Sequence, residues 1–133
     1  MKLPVVKTDI QVRFSDLDIL GHVSNSVYAQ YFDMGRIDWY NIIAENENPE
    51  RSVVVSIKMD IFDEIELKDK VQIETWCSEV GVKSFVLSQD IYCNGTCVTR
   101  ASVTSVCVDR QTKQSIPVPN HWEVSDVLEK VDV

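Results

Sequence analysis

Two aspartates, Asp16 and Asp18, stand just before a glycine-containing turn, and a segment with helical apolar spacing begins at Asn25. A carboxylate is a candidate acid or base in proton transfer. The first N–H groups of a helix have no acceptors within the helix and favour nearby negative charge. Few structural needs explain so many polar residues between two apolar elements. The stretch 13–36 therefore predicts a chemical site in which a carboxylate lies beside a helix N-terminus.

The histidines and cysteines are weaker candidates for chemistry. His22 is able to orient a carboxylate or a water, or to bond to the backbone near the helix start. His121 has the setting of a surface or capping residue. The cysteines form no Cys-x-x-Cys pair, so we expect no structural zinc site. Reduced core thiols are expected at Cys77, Cys93 and Cys107, which fall inside apolar, strand-like runs.

The composition of the 133 residues is that of one folded domain, so we expect a single domain over residues 1–133. A content of 44% hydrophobic residues is enough for one core. The net charge of −8 argues against non-specific nucleic-acid binding, which depends on Lys and Arg. The chain start lacks the apolar run of a signal peptide, and no stretch approaches the roughly 20 apolar residues of a membrane span. A cytoplasmic location without a membrane partner is the expectation.

The hydrophobic period changes along the first third of the chain. Ile10, Val12 and Phe14 alternate with polar residues, which predicts a half-buried strand. From Asn25 the apolar residues recur every three or four positions, which predicts a long helix capped at Ser24 or Asn25. The helix is apolar around much of its circumference, so we expect it to be surrounded by other elements.

A glycine inside this helix needs an explanation. Gly35 costs about 1 kcal/mol relative to alanine in a helix interior. Close approach of another backbone would offset that cost, and we expect such an approach at Gly35.

The rest of the chain is predicted to form four strands and a terminal helix. The strands are expected at residues 52–62, 71–80, 84–93 and 96–108, and the short helix at 122–131. Asn94-Gly95 is a strong hairpin signal, because both residues tolerate positive φ. This order predicts an α+β fold in which an antiparallel sheet curls around one long helix. One sheet edge stays open, so we expect a homodimer or a dimer of dimers.

A specific motif covers residues 13–25, with the sequence RFSDLDILGHVSN, and is followed by Tyr28, Tyr31-Phe32 and Arg36. It resembles the hot-dog fold acyl-CoA thioesterases, in the group similar to 4-hydroxybenzoyl-CoA thioesterase. Weaker matches follow in order at 73–75 through 83–85, and at 100–101 with the exit at 109–119, so the resemblance spans nearly the whole chain. It implies a hot-dog fold and hydrolysis of an acyl-CoA to a free acid and CoA. It implies no metal or redox cofactor.

The resemblance also implies roles for individual residues. Asp18 becomes the catalytic carboxylate, acting either as a general base on water or as a nucleophile that forms an anhydride. The Asn25 main-chain N–H becomes the donor to the thioester oxygen, alongside its plain role at a helix cap. Asp16 and His22 become supporting residues, and hydrogen bonds that anchor the turn are the simpler role for Asp16.

The substrate-binding residues implied are fewer and less specific. Lys83 and Ser84 match positions that meet the nucleotide part of CoA, where Lys83 is able to pair with phosphate or to serve only solubility. Tyr28 is a candidate for the acyl pocket or an ordinary core residue, and Arg100 is a weaker candidate for binding. Arg36 is expected to be structural.

Two other functions remain open at this stage. A hot-dog hydratase or dehydratase needs a histidine–acid pair, and His22 with Asp18 is the one candidate pair in the sequence. A non-enzymatic acyl-CoA binding or sensing module needs no attacking group, and the presence of Asp18 argues against it.

Overall fold

The computed structural model describes residues 1–46 and 51–126. Within them the chain forms one α-helix, α1 (Asn25–Asn46), one short 3₁₀ turn (Phe14–Asp16) and five strands. The strands are β1 (Val6–Ile10), β2 (Arg51–Ile61), β3 (Val71–Val80), β4 (Ser84–Cys93) and β5 (Thr96–Val108). The predicted order of one strand, a long helix and four strands is confirmed, with β2 shifted by one residue.

The five strands form one antiparallel sheet in the order β1-β3-β4-β5-β2. The β4–β5 connection is the predicted hairpin, with Asn94 and Gly95 at φ 52° and 87°. β2 pairs with β5 along one side only and is therefore an edge strand. It begins opposite Val108 and ends opposite Thr99, so it runs the full length of the sheet.

α1 lies across one face of the sheet and buries an aromatic stripe that includes Tyr28, Phe32 and Trp39. A Cβ at Gly35 would lie 2.9 Å from the side chains of both Gln89 and Thr75. The prediction of a close approach at Gly35 is thus correct, but side chains of the sheet make the approach and not a backbone. Glycine is needed because the helix sits directly on these two strands.

The helix is not surrounded within one copy of the chain. Met34, Ile37 and Ile42 on α1 are exposed, so the expectation of an enclosed helix is wrong for a single copy.

No helix in the parts of the chain described is long and apolar enough to cross a membrane.

The first strand differs from its prediction. β1 ends at Ile10, and although Val12 is buried, Phe14 is 82% exposed and begins the 3₁₀ turn. The reason is local: the Arg13 N–H donates to a carboxylate oxygen of Asp16 at 2.9 Å, which closes a turn that a strand could not contain. The alternation of apolar residues therefore continues past Ile10, where the pairing of β1 with β3 ends.

The predicted terminal helix at 122–131 is wrong for its described part. Residues 122–126 are not helical, and Glu123 forms a bridge with Lys2, because its carbonyl accepts the Leu3 N–H at 3.0 Å. Val124 is exposed, although the prediction packed it. The remaining positions, 127–131, lie outside the described residues.

The thiols follow the prediction. Cys77, Cys93 and Cys107 are buried and Cys97 is half-buried, and all four are free.

Candidate active site

Asp16 lies at the centre of the turn that leads from β1 to α1, and its side chain is only 1% exposed. Oδ2 accepts hydrogen bonds from the Arg13 N–H (2.9 Å) and from the Tyr31 hydroxyl (2.7 Å). Oδ1 accepts two more from the Arg13 guanidinium, at 2.9 and 3.2 Å. The Asp16 carbonyl accepts the Ser24 N–H at 3.0 Å. Because both carboxylate oxygens are occupied, Asp16 holds the turn against α1.

The Asp16–Tyr31 contact shifts both ionisations. Burial alone would raise the pKa of Asp16, but the hydrogen bonds from Arg13 and Tyr31 outweigh it and hold the pKa below its usual value. Burial, followed by the hydrogen bond to Asp16, raises the pKa of Tyr31. At neutral pH the pair therefore consists of a carboxylate and a neutral phenol.

Asp18 lies two residues further along, at the surface. A tight turn follows it: its N–H donates to the His22 carbonyl at 2.8 Å, and its carbonyl accepts the Gly21 N–H at 3.0 Å. Gly21 has φ 81°, a conformation that glycine adopts without strain. Oδ1 of Asp18 accepts the N–H groups of Leu20 (2.9 Å) and His22 (3.2 Å), while Oδ2 accepts none from the described residues. One carboxylate oxygen is thus fixed by the turn and the other is available.

The start of α1 leaves backbone donors unused. The Ser24 carbonyl accepts the Val27 N–H at 2.9 Å, which makes Ser24 the residue that caps the helix. The N–H groups of Asn25 and Ser26 have no acceptor within the described part of the chain. With the partial positive charge of the helix end, these groups suit an oxygen that gains negative charge.

The segment between β2 and β3 contacts the stretch that connects Asp18 to α1. The Val23 N–H donates to the Ile65 carbonyl at 2.8 Å, and His22 forms a bridge with Glu66. His22 Nε2 lies 3.0 Å from Glu64 Oε2. The His22 side chain is thus engaged with Glu64, and only its main chain bonds to Asp18.

The same segment has four acidic side chains and two lysines. Asp63, Glu64, Glu66 and Asp69 line one cavity there, and Lys68 lies 3.7 Å from Glu66. Across residues 1–46 and 51–126, no three His, Cys, Asp or Glu side chains are grouped as a metal site would need. The negative charge makes this end of the protein unfavourable for phosphate groups.

Two of the predicted substrate-binding residues form hydrogen bonds within the protein. Tyr28 is buried in the core, where its hydroxyl donates to the Asp63 carbonyl at 3.4 Å and burial raises its pKa. Arg100 is 60% exposed, and its Nε donates to the fully buried Asp90 at 2.9 Å. Asp90 neighbours Gln89, whose side chain reaches α1, so Asp90 and Arg100 belong to the opposite face of the sheet.

Arg36 is structural, as expected. Its guanidinium is buried and donates to Gln89 Oε1 at 2.9 Å and to Asp33.

Lys83 and Ser84 lie at the far end of the sheet. Val80 pairs with Phe85 at that end, whereas Ile10 pairs with Val71 at the end that carries the Asp18 turn. Lys83 is exposed, and its carbonyl accepts the Cys107 N–H at 3.0 Å. Within one copy, the structure does not bring Lys83 and Ser84 to Asp18.

Three residues with positioning contacts were missed by sequence reasoning. Tyr31 has the spacing of an apolar stripe residue, Arg13 was named only as part of the motif, and Glu64 was not named at all. The spacing of Arg13 three residues before Asp16 was a signal for that pair, but no local pattern points to the contacts of Tyr31 or Glu64.

Comparison with known proteins covers nearly the whole chain. Residues 12–131 match the family described as the thioesterase-like superfamily. The long-chain acyl-CoA thioesterase FadM of Escherichia coli K12 is 28% identical over 136 residues, which cover 95% of this chain and 98% of that protein.

Solved structures share the architecture. A thioesterase from Thermus thermophilus, complexed with coenzyme A and Zn, has a TM-score of 0.77 at 27% identity, covering 89% of this chain and 93% of that chain. A predicted thioesterase from Bacillus stearothermophilus has a TM-score of 0.79 at 21% identity, covering 88% and 90%, which shows the fold alone. In the described residues a long helix packs on a five-stranded antiparallel sheet, and this architecture, together with the match over 12–131, establishes that the chain has the hot-dog fold and belongs to the thioesterase-like superfamily.

Proposed function

We propose that this protein hydrolyses acyl-CoA thioesters to a free carboxylic acid and CoA. The observation that carries the proposal is a surface carboxylate, Asp18, with one fixed and one available oxygen, on the connection that leads into unpaired helix N–H groups. Membership of the thioesterase-like superfamily and the similarity to an acyl-CoA thioesterase over 95% of the chain support it.

Asp18 supplies the attacking chemistry. As a general base it removes a proton from water, so that the water oxygen bonds to the thioester carbon; as a nucleophile its own oxygen forms that bond and an anhydride results. In either route the C–S bond breaks and the thiolate of CoA leaves. In the nucleophile route a water then hydrolyses the anhydride, which releases the free acid and restores the Asp18 carboxylate. The two N–H groups that bind Oδ1 keep the carboxylate oriented during attack.

The Asn25 N–H stabilises the carbonyl oxygen as it becomes negative. Loss of one such donor typically costs about 3–4 kcal/mol of transition-state stabilisation. The donor belongs to the main chain, so replacing the Asn25 side chain leaves it in place. The free N–H groups at the start of α1 support this role.

The active protein is a homodimer or a dimer of dimers. The unpaired edge of β2 supports this state, because Val55 and Ile57 on that strand are 60% and 53% exposed. An open, apolar edge strand is stabilised when a second copy pairs with it. The free, mostly buried thiols fit a reducing, cytoplasmic setting.

A thiol-release assay tests the proposal. The purified protein is incubated with acyl-CoAs of short, long and aromatic acyl groups, and free thiol is measured over time. Release that depends on enzyme concentration and saturates with substrate is the expected result. Absence of thiol release across the whole panel from a folded protein would overturn the proposal.

The same assay distinguishes the two other functions. A hydratase would remove enoyl absorbance without releasing thiol, and a sensor would bind acyl-CoA without either change. The engagement of His22 with Glu64 does not favour the His22–Asp18 pair that a hydratase needs.

A further inference from the structure

The two groups proposed to act on the thioester belong to the connection that enters α1. Asp18 lies between the 3₁₀ turn and the helix, and Asn25 is the first residue of the helix, seven positions later. Attack requires reacting atoms that are held about 3–3.5 Å apart and aligned, and a displacement of about 1 Å is able to slow a reaction about 10²-fold. The reaction therefore depends on the contacts that fix this connection against α1.

The main chain of Asp16 is linked to both of these groups. Its carbonyl accepts the Ser24 N–H at 3.0 Å, next to an antiparallel bridge between Leu17 and Val23. Asp16 stands two positions before the carboxylate proposed to attack, and Ser24 stands directly before the proposed oxyanion donor. A shift of Asp16 relative to the helix would therefore change the spacing between the two groups.

One side-chain hydrogen bond joins Asp16 to α1. Three of the four hydrogen bonds to its carboxylate come from Arg13, three positions earlier on the same turn. The fourth comes from the Tyr31 hydroxyl at 2.7 Å, and Tyr31 belongs to α1. The bonds from Arg13 hold the turn together, whereas the bond from Tyr31 holds the turn against the helix.

The place of Tyr31 on the helix suits this contact. Tyr31 lies six positions after Asn25, and helical side chains lean toward the helix N-terminus, so its hydroxyl reaches back to the start of α1. Its ring belongs to the buried core, which fixes the hydroxyl relative to the helix. Tyr31 is 3% and Asp16 1% exposed, so water has little access to their bond. A short O–H···O bond to an ionised carboxylate is also stronger than a neutral hydrogen bond.

We propose that Tyr31 is a positioning residue for the reaction: its hydroxyl, acting through the Asp16 carboxylate, fixes the Asp18 carboxylate relative to the Asn25 N–H. This inference rests on the proposed hydrolase function and adds to it a residue outside the 13–25 motif. Tyr31 does not touch the substrate and takes no part in proton transfer.

The kinetics of Tyr31→Phe test the proposal. The ring and its packing stay, and only the hydroxyl is lost. The variant is expected to lower kcat for thiol release about 10- to 100-fold and to leave KM within about twofold, because misplaced groups weaken the transition state and not the binding of substrate. The assay is run at a temperature at which circular dichroism shows the variant to be folded. A kcat equal to wild type, or a higher KM at unchanged kcat, overturns the proposal.

Thr8→Val is the matched control. The Thr8 hydroxyl donates to Asp38 Oδ2 at 2.8 Å, so it too joins the start of the chain to α1 by a hydroxyl–carboxylate bond. Asp38 lies 13 positions after Asn25, about 20 Å along the helix at 1.5 Å per residue. Valine keeps the shape of the side chain, and kcat is expected to stay within about twofold of wild type. An equal fall of kcat in Thr8→Val and Tyr31→Phe would overturn the proposal, since any anchor of the helix would then have the same effect.

A double variant tests whether Tyr31 acts through Asp16. In Asp16→Ala the Tyr31 hydroxyl has lost its acceptor, so adding Tyr31→Phe is expected to change kcat by less than about twofold. A second fall as large as the one seen in the wild-type background would show that Tyr31 acts by another route and would overturn the proposal. If Asp16→Ala does not fold, the comparison of Tyr31→Phe with Thr8→Val decides.

The proposed function and this inference fail in different ways. Wild-type protein that releases no thiol removes the hydrolase function and the role of Tyr31 with it. Wild-type protein that releases thiol, together with a Tyr31→Phe variant of equal kcat, removes only the role of Tyr31.

Discussion

Asp16 and Asp18 are the same residue type two positions apart, yet the turns around them differ in burial and in hydrogen bonding. The Asp16 carboxylate is buried and accepts four hydrogen bonds, two of them from the Arg13 guanidinium. The Asp18 carboxylate lies at the surface, accepts two on one oxygen and leaves the other available. A carboxylate with hydrogen bonds on both oxygens stabilises the fold. A carboxylate that is held by one oxygen and keeps the other available is able to react. Substitutions in and around the two turns test this difference.

Asp18→Asn is expected to reduce kcat for acyl-CoA hydrolysis by roughly 10²- to 10⁴-fold, because the amide neither accepts the proton nor attacks the carbonyl. Its thermal unfolding midpoint should stay close to wild type, since the side chain lies at the surface. Steady-state thiol release and circular dichroism measure the two effects. Near-normal turnover in the folded variant would remove Asp18 from the mechanism.

Asp16→Ala is expected to lower the free energy of unfolding by about 3 kcal/mol, because it leaves the buried Tyr31 hydroxyl and the Arg13 N–H without their acceptor. Urea unfolding at pH 7 measures the loss. Asp18→Ala is the matched control and should cost much less. Equal losses in the two variants would contradict the contrast between the turns.

The stability of the protein at low pH also tests the role of Asp16. Its pKa is lowered in the folded state, so its contribution is full above the unfolded value of about 3.9 and is lost as the pH falls through the lower folded pKa. The stability difference between wild type and Asp16→Ala should therefore shrink at the acid end of a pH series. A difference that stays constant would mean that the charge of Asp16 does not stabilise the fold.

Tyr31→Phe is expected to cost about 1.5 kcal/mol, since the hydrogen bond that it removes goes to a charged acceptor. The raised pKa of Tyr31 means that the folded state favours the neutral phenol, so this contribution is present below pH about 10 and is lost as the pH rises further. The variant should lose less stability than wild type above that pH. Tyr28→Phe is the control, because the Tyr28 hydroxyl makes only a 3.4 Å contact with a carbonyl.

Glu64→Gln is expected to change stability by less than about 1 kcal/mol, since its contact with His22 is partly exposed to solvent. The Val23–Ile65 backbone bond remains and keeps the Asp18 turn in place. Urea unfolding and kcat measure both effects. A large fall in kcat without loss of stability would assign Glu64 a greater role in orienting the turn than the geometry indicates.

Most elements of the fold could be predicted from the sequence, because they depend on neighbouring residues. The helix from Asn25, the Asn94-Gly95 hairpin and the strands β3 to β5 were all readable from periodicity and turn chemistry. The family and the hot-dog fold were also evident from the motif at 13–25. Two elements were misplaced. The strand through Phe14 ends early because of a local hydrogen bond from Arg13 to Asp16, and residues 122–126 are not helical because Glu123 bonds to Leu3, far away in the sequence.

Which polar side chains hold the Asp16–Asp18 turn, and which keep an available oxygen, depends on contacts that form on folding. Tyr31 reaches Asp16 from α1, and Glu64 reaches His22 from the connection between β2 and β3. The distance between Asp18 and Lys83 likewise follows from strand pairing and not from spacing along the chain. Burial and hydrogen-bond saturation depend on residues that folding brings together. The sequence therefore names the candidate carboxylates, and the packed structure separates the buried, saturated one from the one with an available oxygen.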